Sequence, residues 1–136
     1  MKQVATLILA TVAIVSVVFV AGAAGHRAKL DTTVTVKFNK ADKKDPLAKA
    51  NFDGTVTSTK PRCAKNRTVN LRLRATDGSS TVVGTDLTDS VGAWLIEPTS
   101  VAPGTYFAQA TKKVLLKNTK HRHICRKAVS KDVTAK

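Results

Sequence analysis

Two segments in the second half of the chain combine a tight-turn signal with a large aromatic residue, and they constrain the fold most strongly. Residues 88–94 read Thr-Asp-Ser-Val-Gly-Ala-Trp, and residues 103–106 read Pro-Gly-Thr-Tyr. Asp accepts backbone hydrogen bonds in turns, Gly adopts positive φ and Pro fixes φ. The pattern therefore predicts two turns that each lead into a short strand, with Trp94 and Tyr106 pointing into the core.

Alternation of apolar and polar residues predicts further strands. Residues 32–38 alternate Val and Phe with polar residues, and residues 67–75 alternate Val, Leu and Ala with Asn and Arg. This period of two is typical of half-buried strands. Asp77-Gly78 predicts a hairpin turn, and Gly54 predicts a bulge or a close backbone approach. Strands are also predicted at 52–58, 81–88, 105–111 and 128–133, with a short one around Trp94 and Ile96.

Seven or eight short strands separated by turns favour one fold class. The sequence predicts an all-β, antiparallel β-sandwich of the prealbumin-like or Ig-like kind, in preference to a barrel or a βαβ sheet. The connecting segments 39–50, 60–66 and 112–127 are predicted to be loops, because they are rich in charged and turn-forming residues.

The first 24 residues have the features of an export signal. Lys2 is followed by an apolar run to Val20 and then by small residues around Ala23. We expect a hydrophobic signal helix over residues 1–24, followed by a single β-sandwich domain over residues 25–136. The apolar run is slightly long for a signal peptide, so an uncleaved membrane anchor is the alternative. Either form predicts a secreted or cell-envelope protein.

Cys63 and Cys125 are the two cysteines of the chain, and both follow the export signal. In an oxidising compartment such a pair most simply forms one disulfide. The alternative is a Cys125 nucleophile assisted by the nearby His123, but no protease motif surrounds these residues. The sequence therefore predicts a Cys63–Cys125 disulfide.

Four short motifs resemble a known group of domains. They are Gly54-x-Val56, Val69-x-Leu71, Thr88-Asp89-x-x-Gly92-x-Trp94 and Pro103-Gly104-x-Tyr106. In this order the chain resembles, over residues 52–133, the carboxypeptidase regulatory-like domains, which are related to transthyretin-like and collagen-adhesin B-type sandwiches of exported bacterial proteins. The resemblance implies a non-catalytic domain that supports, spaces or binds other molecules.

Positive charge is the strongest indication of a partner. The chain carries 23 Lys and Arg against 9 Asp and Glu. Such a surface attracts polyanions, and salt weakens the attraction. The predicted polyanion-binding residues are Lys112, Lys113, Lys117, Lys120, Arg122, Arg126 and Lys127 in the 112–127 segment, with Arg72 and Arg74 on the outer face of their strand. The alternative without a ligand is a solvated loop whose charge keeps the domain soluble.

These features predict a binding module and no enzyme. The expected partner is an anionic extracellular polymer (a wall polymer, an acidic polysaccharide or non-specifically bound DNA) or another envelope protein. Membrane contact would occur only through an uncleaved N-terminal segment. His121 and His123 lack a nearby carboxylate, so neither a metal nor a cofactor is expected. A structural or protein-interaction domain is the alternative, and a small secreted hydrolase is a remote one.

Overall fold

The fold was analysed in a computed structural model, which describes residues 25–116, 118 and 121–136. The predicted signal segment 1–24 therefore lies outside the described residues. The described part contains twelve strands and one short helix: β1 (His26–Leu30), β2 (Thr32–Val34), β3 (Lys37–Asn39), β4 (Asn51–Ser58), α1 (Pro61–Ala64), β5 (Thr68–Arg74), β6 (Ser80–Leu87), β7 (Ala93–Ile96), β8 (Gly104–Ala110), β9 (Lys113–Leu116), β10 (His121–Cys125), β11 (Ala128–Val129) and β12 (Val133–Ala135). None of the described helical residues forms a helix long and apolar enough to cross a membrane.

The strands form three sheets. The first runs in the order β11–β8–β5–β6, and β12 also pairs with β8. The second is centred on β4, which pairs with β2, β3 and β7. The third has the order β1–β10–β9. The predicted all-β class with antiparallel sheets is confirmed, except that β1 and β10 run parallel, which the sequence did not predict.

Two predicted strands are each divided in the structure. β2 and β3 pair with β4 in one unbroken register and are interrupted only at Thr35 and Val36. β11 and β12 both pair with β8, but the register shifts by one residue between them. These interruptions, with β1 and the β9–β10 hairpin, explain why the strands outnumber the seven or eight predicted.

One apolar core lies between the first two sheets. Trp94 and Tyr106 are both buried, at 3% and 2% exposure, as their positions after the turns predict. The ring of Phe52 in the second sheet lies 4.7 Å from that of Tyr106 in the first, in a tilted arrangement. Offset aromatic pairs of this kind add about 1 kcal/mol beyond their buried area. The two sheets therefore pack face to face.

The predicted turns have the expected chemistry. The carboxylate of Asp89 accepts hydrogen bonds from the backbone N–H groups of Val91 and Ala93, each at 2.9 Å. Gly92 has φ +90° and Gly78 has φ +85°. Both values lie in the left-handed region that glycine adopts without a steric penalty. The Asp-capped turn before Trp94 and the hairpin at Gly78 are therefore confirmed.

Two segments predicted as loops have regular structure. Residues 61–64 form α1, which begins at Pro61, where the missing backbone donor costs no helical hydrogen bond. Lys113–Leu116 and His121–Cys125 pair as antiparallel strands, below called the β9–β10 hairpin, although the sequence predicts a loop over 112–127. Val114, Leu115 and Ile124 provide the β-forming residues, but the dense positive charge around them obscures the pattern.

Gly54 lies where two backbones approach closely, as predicted. A Cβ atom at this position would lie 2.1 Å from the carbonyl oxygen of Thr35 and 2.8 Å from Cζ2 of Trp94. We expect Gly54→Ala to lower the free energy of unfolding by about 2 kcal/mol, because a backbone atom cannot move aside as a flexible side chain can. Urea unfolding followed by the fluorescence of Trp94, the single tryptophan, measures the effect.

Gly78→Ala is the matched control. No heavy atom lies within 4 Å of a Cβ built at Gly78, so this variant carries only the strain of its positive φ, about 1 kcal/mol. A smaller loss of stability for Gly54→Ala than for Gly78→Ala would contradict the close-approach interpretation.

Candidate functional site

The third sheet joins segments that lie far apart in the sequence. β10 pairs with β9 on one side and with β1 on the other, where Leu30 lies opposite Cys125. A disulfide between Cys63 and Cys125 attaches α1 to this sheet, with its sulfur atoms 2.01 Å apart. The name basic layer is used below for residues 26–31, 60–66, 111–116 and 121–127, which contain β1, α1, β9 and β10.

The basic layer concentrates positive charge. Its one acidic residue is Asp31, whose carboxylate lies 3.2 Å from Nη1 of Arg126. Both partners are exposed, and such surface pairs contribute little to stability. The described Lys and Arg residues of the layer are Arg27, Lys29, Lys60, Arg62, Lys65, Lys112, Lys113, Arg122, Arg126 and Lys127. This excess of cations creates a positive potential that attracts anions.

A groove opens between α1 and the β9–β10 hairpin. Because side chains alternate along β10, His121 and His123 lie on the same face as Cys125, the face to which α1 is bonded. The groove has a volume of about 340 Å³ and is lined by Lys60, Arg62, Leu115, Leu116, His121 and His123. No carboxylate is among these described lining residues. An anion that enters the groove therefore meets only cationic, imidazole and apolar side chains.

All three histidines of the chain gather at this groove. His26 lies opposite His121 in the β1–β10 register, and its ring meets that of His123 edge to face at a centroid distance of 5.6 Å. Partial burial, and then the charges of Lys60, His26 and His121, lower the pKa of His123. Protonation of His123 is therefore opposed by its surroundings, and an anion in the groove would favour it.

Arg67 lies fully buried at the junction of the sheets, with 0% exposure. Its guanidinium donates five hydrogen bonds, and its acceptors are the carbonyl oxygens of Cys63, Thr111, Cys125 and Arg126 and the hydroxyl of Thr32. Burial lowers the pKa of Arg67, but a guanidinium stays protonated at any ordinary pH. No carboxylate of the described residues forms an ion pair with it. Arg67 is therefore a structural cation whose donors are satisfied by four backbone carbonyl oxygens and one hydroxyl.

Some predicted polyanion-binding residues are open to solvent. Lys112, just before β9, and Lys127, two residues after β10, are both exposed. Arg122 is partly buried on β10, and its Nε has no hydrogen-bond partner among the described residues. Lys117 and Lys120 lie outside the described residues. Lys112 and Lys127 therefore leave their charges available to a ligand or to solvent.

Other predicted residues already have partners within the protein. Nζ of Lys113 donates to the carbonyl oxygens of Lys65 at 2.7 Å and Asn66 at 3.2 Å, just beyond the end of α1. Its pKa is lowered by partial burial and then by the neighbouring cations, Arg67 first among them. Arg126 pairs with Asp31 at 3.2 Å. Lys113 therefore holds α1 against the hairpin and is a poor anion ligand.

The two arginines of β5 lie away from the basic layer. Arg72 donates from Nε and Nη2 to the hydroxyl and carbonyl oxygens of Ser80, both at 3.0 Å. Arg74 pairs with Asp132 at 2.8 Å and stacks over the ring of Phe107 at 4.6 Å. β5 starts beside the buried Arg67 and ends at Arg74, roughly 20 Å further along at the usual rise per residue. Arg72 and Arg74 therefore do not extend the charged surface of the hairpin.

The sequence-based prediction misses Lys60, Arg62 and the cations of β1. A signal for the first two was present, because a disulfide between Cys63 and Cys125 brings the neighbours of Cys63 to the 112–127 segment. The parallel addition of His26–Leu30 to β10 has no comparable sequence signal, since polar and charged residues occupy most of that strand.

Other chemistry has little support in the described residues. They contain no group of three His, Cys, Asp or Glu side chains arranged to hold a metal ion. Asp86 accepts hydrogen bonds from the backbone N–H groups of Leu87 and Leu95, both at 2.8 Å, and so links β6 to β7. Its carboxylate thus serves the fold, as that of Asp89 does in the turn before Trp94.

Comparisons with protein families, with curated proteins and with solved structures gave no match. The functional interpretation of this chain therefore rests on its own residues.

Proposed function

We propose that this chain is an extracytoplasmic, non-catalytic β-sandwich module that binds an anionic extracellular polymer through the basic layer. One observation carries the proposal: the β1–β10 pairing and the Cys63–Cys125 disulfide bring ten described Lys and Arg residues from three segments together with a single acid, Asp31. A surface of this kind attracts polyanions of many types, and the attraction weakens as salt rises.

The proposed architecture is a sandwich of the carboxypeptidase regulatory-like kind. It is supported by two sheets that pack face to face and by the turns that lead into Trp94 and Tyr106. The Cys63–Cys125 bond and the signal-like residues 1–24 favour an oxidising location outside the cytoplasm.

The alternative function is a structural or protein-interaction domain with incidental positive charge. It is favoured by one observation: several of the predicted cations serve the fold, since Lys113 holds the end of α1 and Arg72 is bonded to Ser80. The two functions differ in what happens when exposed, unbonded lysines of the basic layer lose their charge.

Elution from a heparin column tests the proposal. We expect Lys112→Gln combined with Lys127→Gln to weaken binding about tenfold and to elute at lower salt, because each surface cation near an anionic surface contributes about 1 kcal/mol or less. The control is Lys43→Gln combined with Lys44→Gln, which removes the same charge from the exposed 39–50 segment. Equal shifts for both double variants would favour the alternative function.

A further inference from the structure

We propose that the groove between α1 and the β9–β10 hairpin is a discrete site for an organic phosphate group, which Lys60, Arg62, His121 and His123 bind. This inference rests on the proposed function and narrows it from a charged surface to one site with a stated ligand chemistry. It also involves residues that the sequence-based prediction does not include.

The geometry of the groove favours one bound group over diffuse attraction. Its walls come from two elements that the Cys63–Cys125 disulfide fixes to each other, so the cations on α1 and the imidazoles on β10 are held facing the same space. Arg62 and Lys60 are exposed and form no ion pair with any described residue, so their donors are free for a ligand. Donors that already converge from fixed elements lose little conformational entropy when a ligand binds.

The charge of the groove matches a phosphate ester better than a carboxylate. Lys60 and Arg62 carry two permanent positive charges, and His123 adds a third when it is protonated. A phosphomonoester carries a charge of about −1.5 to −2 at neutral pH, and three of its oxygens accept hydrogen bonds. A carboxylate carries at most one negative charge. The fork of Arg62 can bind either group, so the charge of the groove is what favours phosphate.

The apolar part of the lining indicates that the phosphate is carried on an organic unit. Leu115 and Leu116 contribute to the wall beside the histidines. A volume of about 340 Å³ lies at the lower end of the range of small-molecule sites, roughly 300–1,000 Å³. One phosphorylated polyol or sugar unit of an extracellular polymer satisfies both the charge and the volume.

Proton uptake should accompany binding. The groups that face His123 are all cationic or able to become so: His26 from β1, His121 on its own strand, Lys60 and Arg62 from the α1 side, with Lys113 on β9 beyond them. Burial, and then the charges of Lys60, His26 and His121, lower the pKa of His123 in the free protein. A bound phosphate raises it, so affinity should increase as pH falls from 8 towards about 6, where the phosphate itself begins to protonate.

The histidine ring resonances in an NMR titration test the site directly. Glycerol 3-phosphate added at pH 6.5 should shift the signals of His121 and His123, and the pKa of His123 should rise by about one unit when the site is saturated. Methyl sulfate, which has similar geometry but one negative charge, should bind about tenfold more weakly. Unmoved histidine signals, or equal affinity for the two ligands, would overturn the inference.

Matched variants separate the groove from the general charge. Lys60→Gln combined with Arg62→Gln should weaken glycerol 3-phosphate binding at least tenfold, because it removes the two permanent charges of the groove. Lys43→Gln combined with Lys44→Gln removes the same charge elsewhere and should change the affinity less than twofold. Comparable losses in both variants would show that no discrete site exists.

The two proposals can fail separately. If the histidines ignore glycerol 3-phosphate while the Lys112/Lys127 variant still elutes early from heparin, the groove inference is wrong and the proposed function stands. If heparin binding of the wild-type protein also depends only on total charge, both proposals are wrong. If the phosphate binds but heparin retention is unselective, the ligand is a small organic phosphate and the polymer is excluded.

Discussion

Replacing Arg67 with methionine should lower the free energy of unfolding by about 3–5 kcal/mol, the largest single-residue effect that we expect in this protein. The guanidinium is fully buried and donates to carbonyl groups on both sides of the disulfide, at 2.8 Å to Cys63 and 3.5 Å to Cys125. Methionine fills much of the volume but donates nothing, so buried acceptors lose their partners at about 1–3 kcal/mol each.

Arg67→Lys distinguishes hydrogen-bond geometry from charge. Lysine keeps the positive charge, but one ammonium group cannot reach five acceptors that surround a planar guanidinium. We therefore expect Arg67→Lys to lose nearly as much stability as Arg67→Met. Arg72→Met is the control, because Arg72 is partly buried and bonds only Ser80, and it should cost no more than about 1 kcal/mol. Urea midpoints followed by Trp94 fluorescence that are alike for Arg67→Met and Arg72→Met would contradict the structural role of Arg67.

The burial of Arg67 had a sequence signal that its chemistry obscured. Arg67 precedes Val69 by two residues and Leu71 by four, so the period of the strand places all three on the same, inward face. Charged residues are rarely fully buried, so the residue type predicts an exposed side chain at position 67, whereas the periodicity predicts a buried one. The carbonyl oxygens of Thr111 and Arg126 and the hydroxyl of Thr32 converge on the guanidinium and allow the exception, and no sequence pattern reveals such convergence.

Alternation and turn chemistry predicted the strands of the two facing sheets well. Pairing between distant segments could not be predicted from the sequence. Alternation located most strands of the core, and turn chemistry located Gly92 and the residues that enter the core after the turns. The basic layer depends on the parallel pairing of His26–Leu30 with His121–Cys125, in which paired residues are 95 positions apart in the chain. A charged strand at such a distance carries no local signal. The segment predicted as a loop over 112–127 contains the two paired strands β9 and β10.

The same limit applies to the candidate site. Charge alone identifies the exposed lysines of the hairpin. The groove requires the charge pattern to be combined with the predicted disulfide, because that bond brings Lys60 and Arg62 to the side of His121 and His123. Arg72 and Arg74 show the reverse error: alternation places them correctly on the outer face, yet their distance along β5 separates them from the hairpin.

Removal of the disulfide by Cys63→Ala combined with Cys125→Ala is expected to lower the free energy of unfolding by about 4 kcal/mol. The bond joins residues 62 apart in the chain, and the chain-entropy account gives about this loss for a loop of that length. Both half-cystines are fully buried, so the alanines also leave a small cavity. Net stabilities of small domains are about 5–15 kcal/mol, and the variant should therefore be close to unfolding at 37 °C.

Thermal unfolding of the double variant, and of wild-type protein with and without reductant, measures this loss. Reduced wild-type protein and the double alanine variant should unfold at similar temperatures, both well below the oxidised protein. If all three unfold together, the disulfide makes no contribution to stability.

The effects of the disulfide and of Arg67 should not add. The guanidinium donates to the carbonyl oxygens of both Cys63 and Cys125, and these carbonyl groups keep their relative positions only while α1 and β10 stay joined. Without the bond, α1 can separate from β10, and Arg67 then loses part of its hydrogen bonding before any substitution. In a double-mutant cycle we expect Arg67→Met to cost about 1–3 kcal/mol less in the cysteine-free background than in the wild-type protein. Strictly additive losses would mean that the buried cation and the covalent bond stabilise independent parts of the fold, and that the walls of the groove do not depend on both.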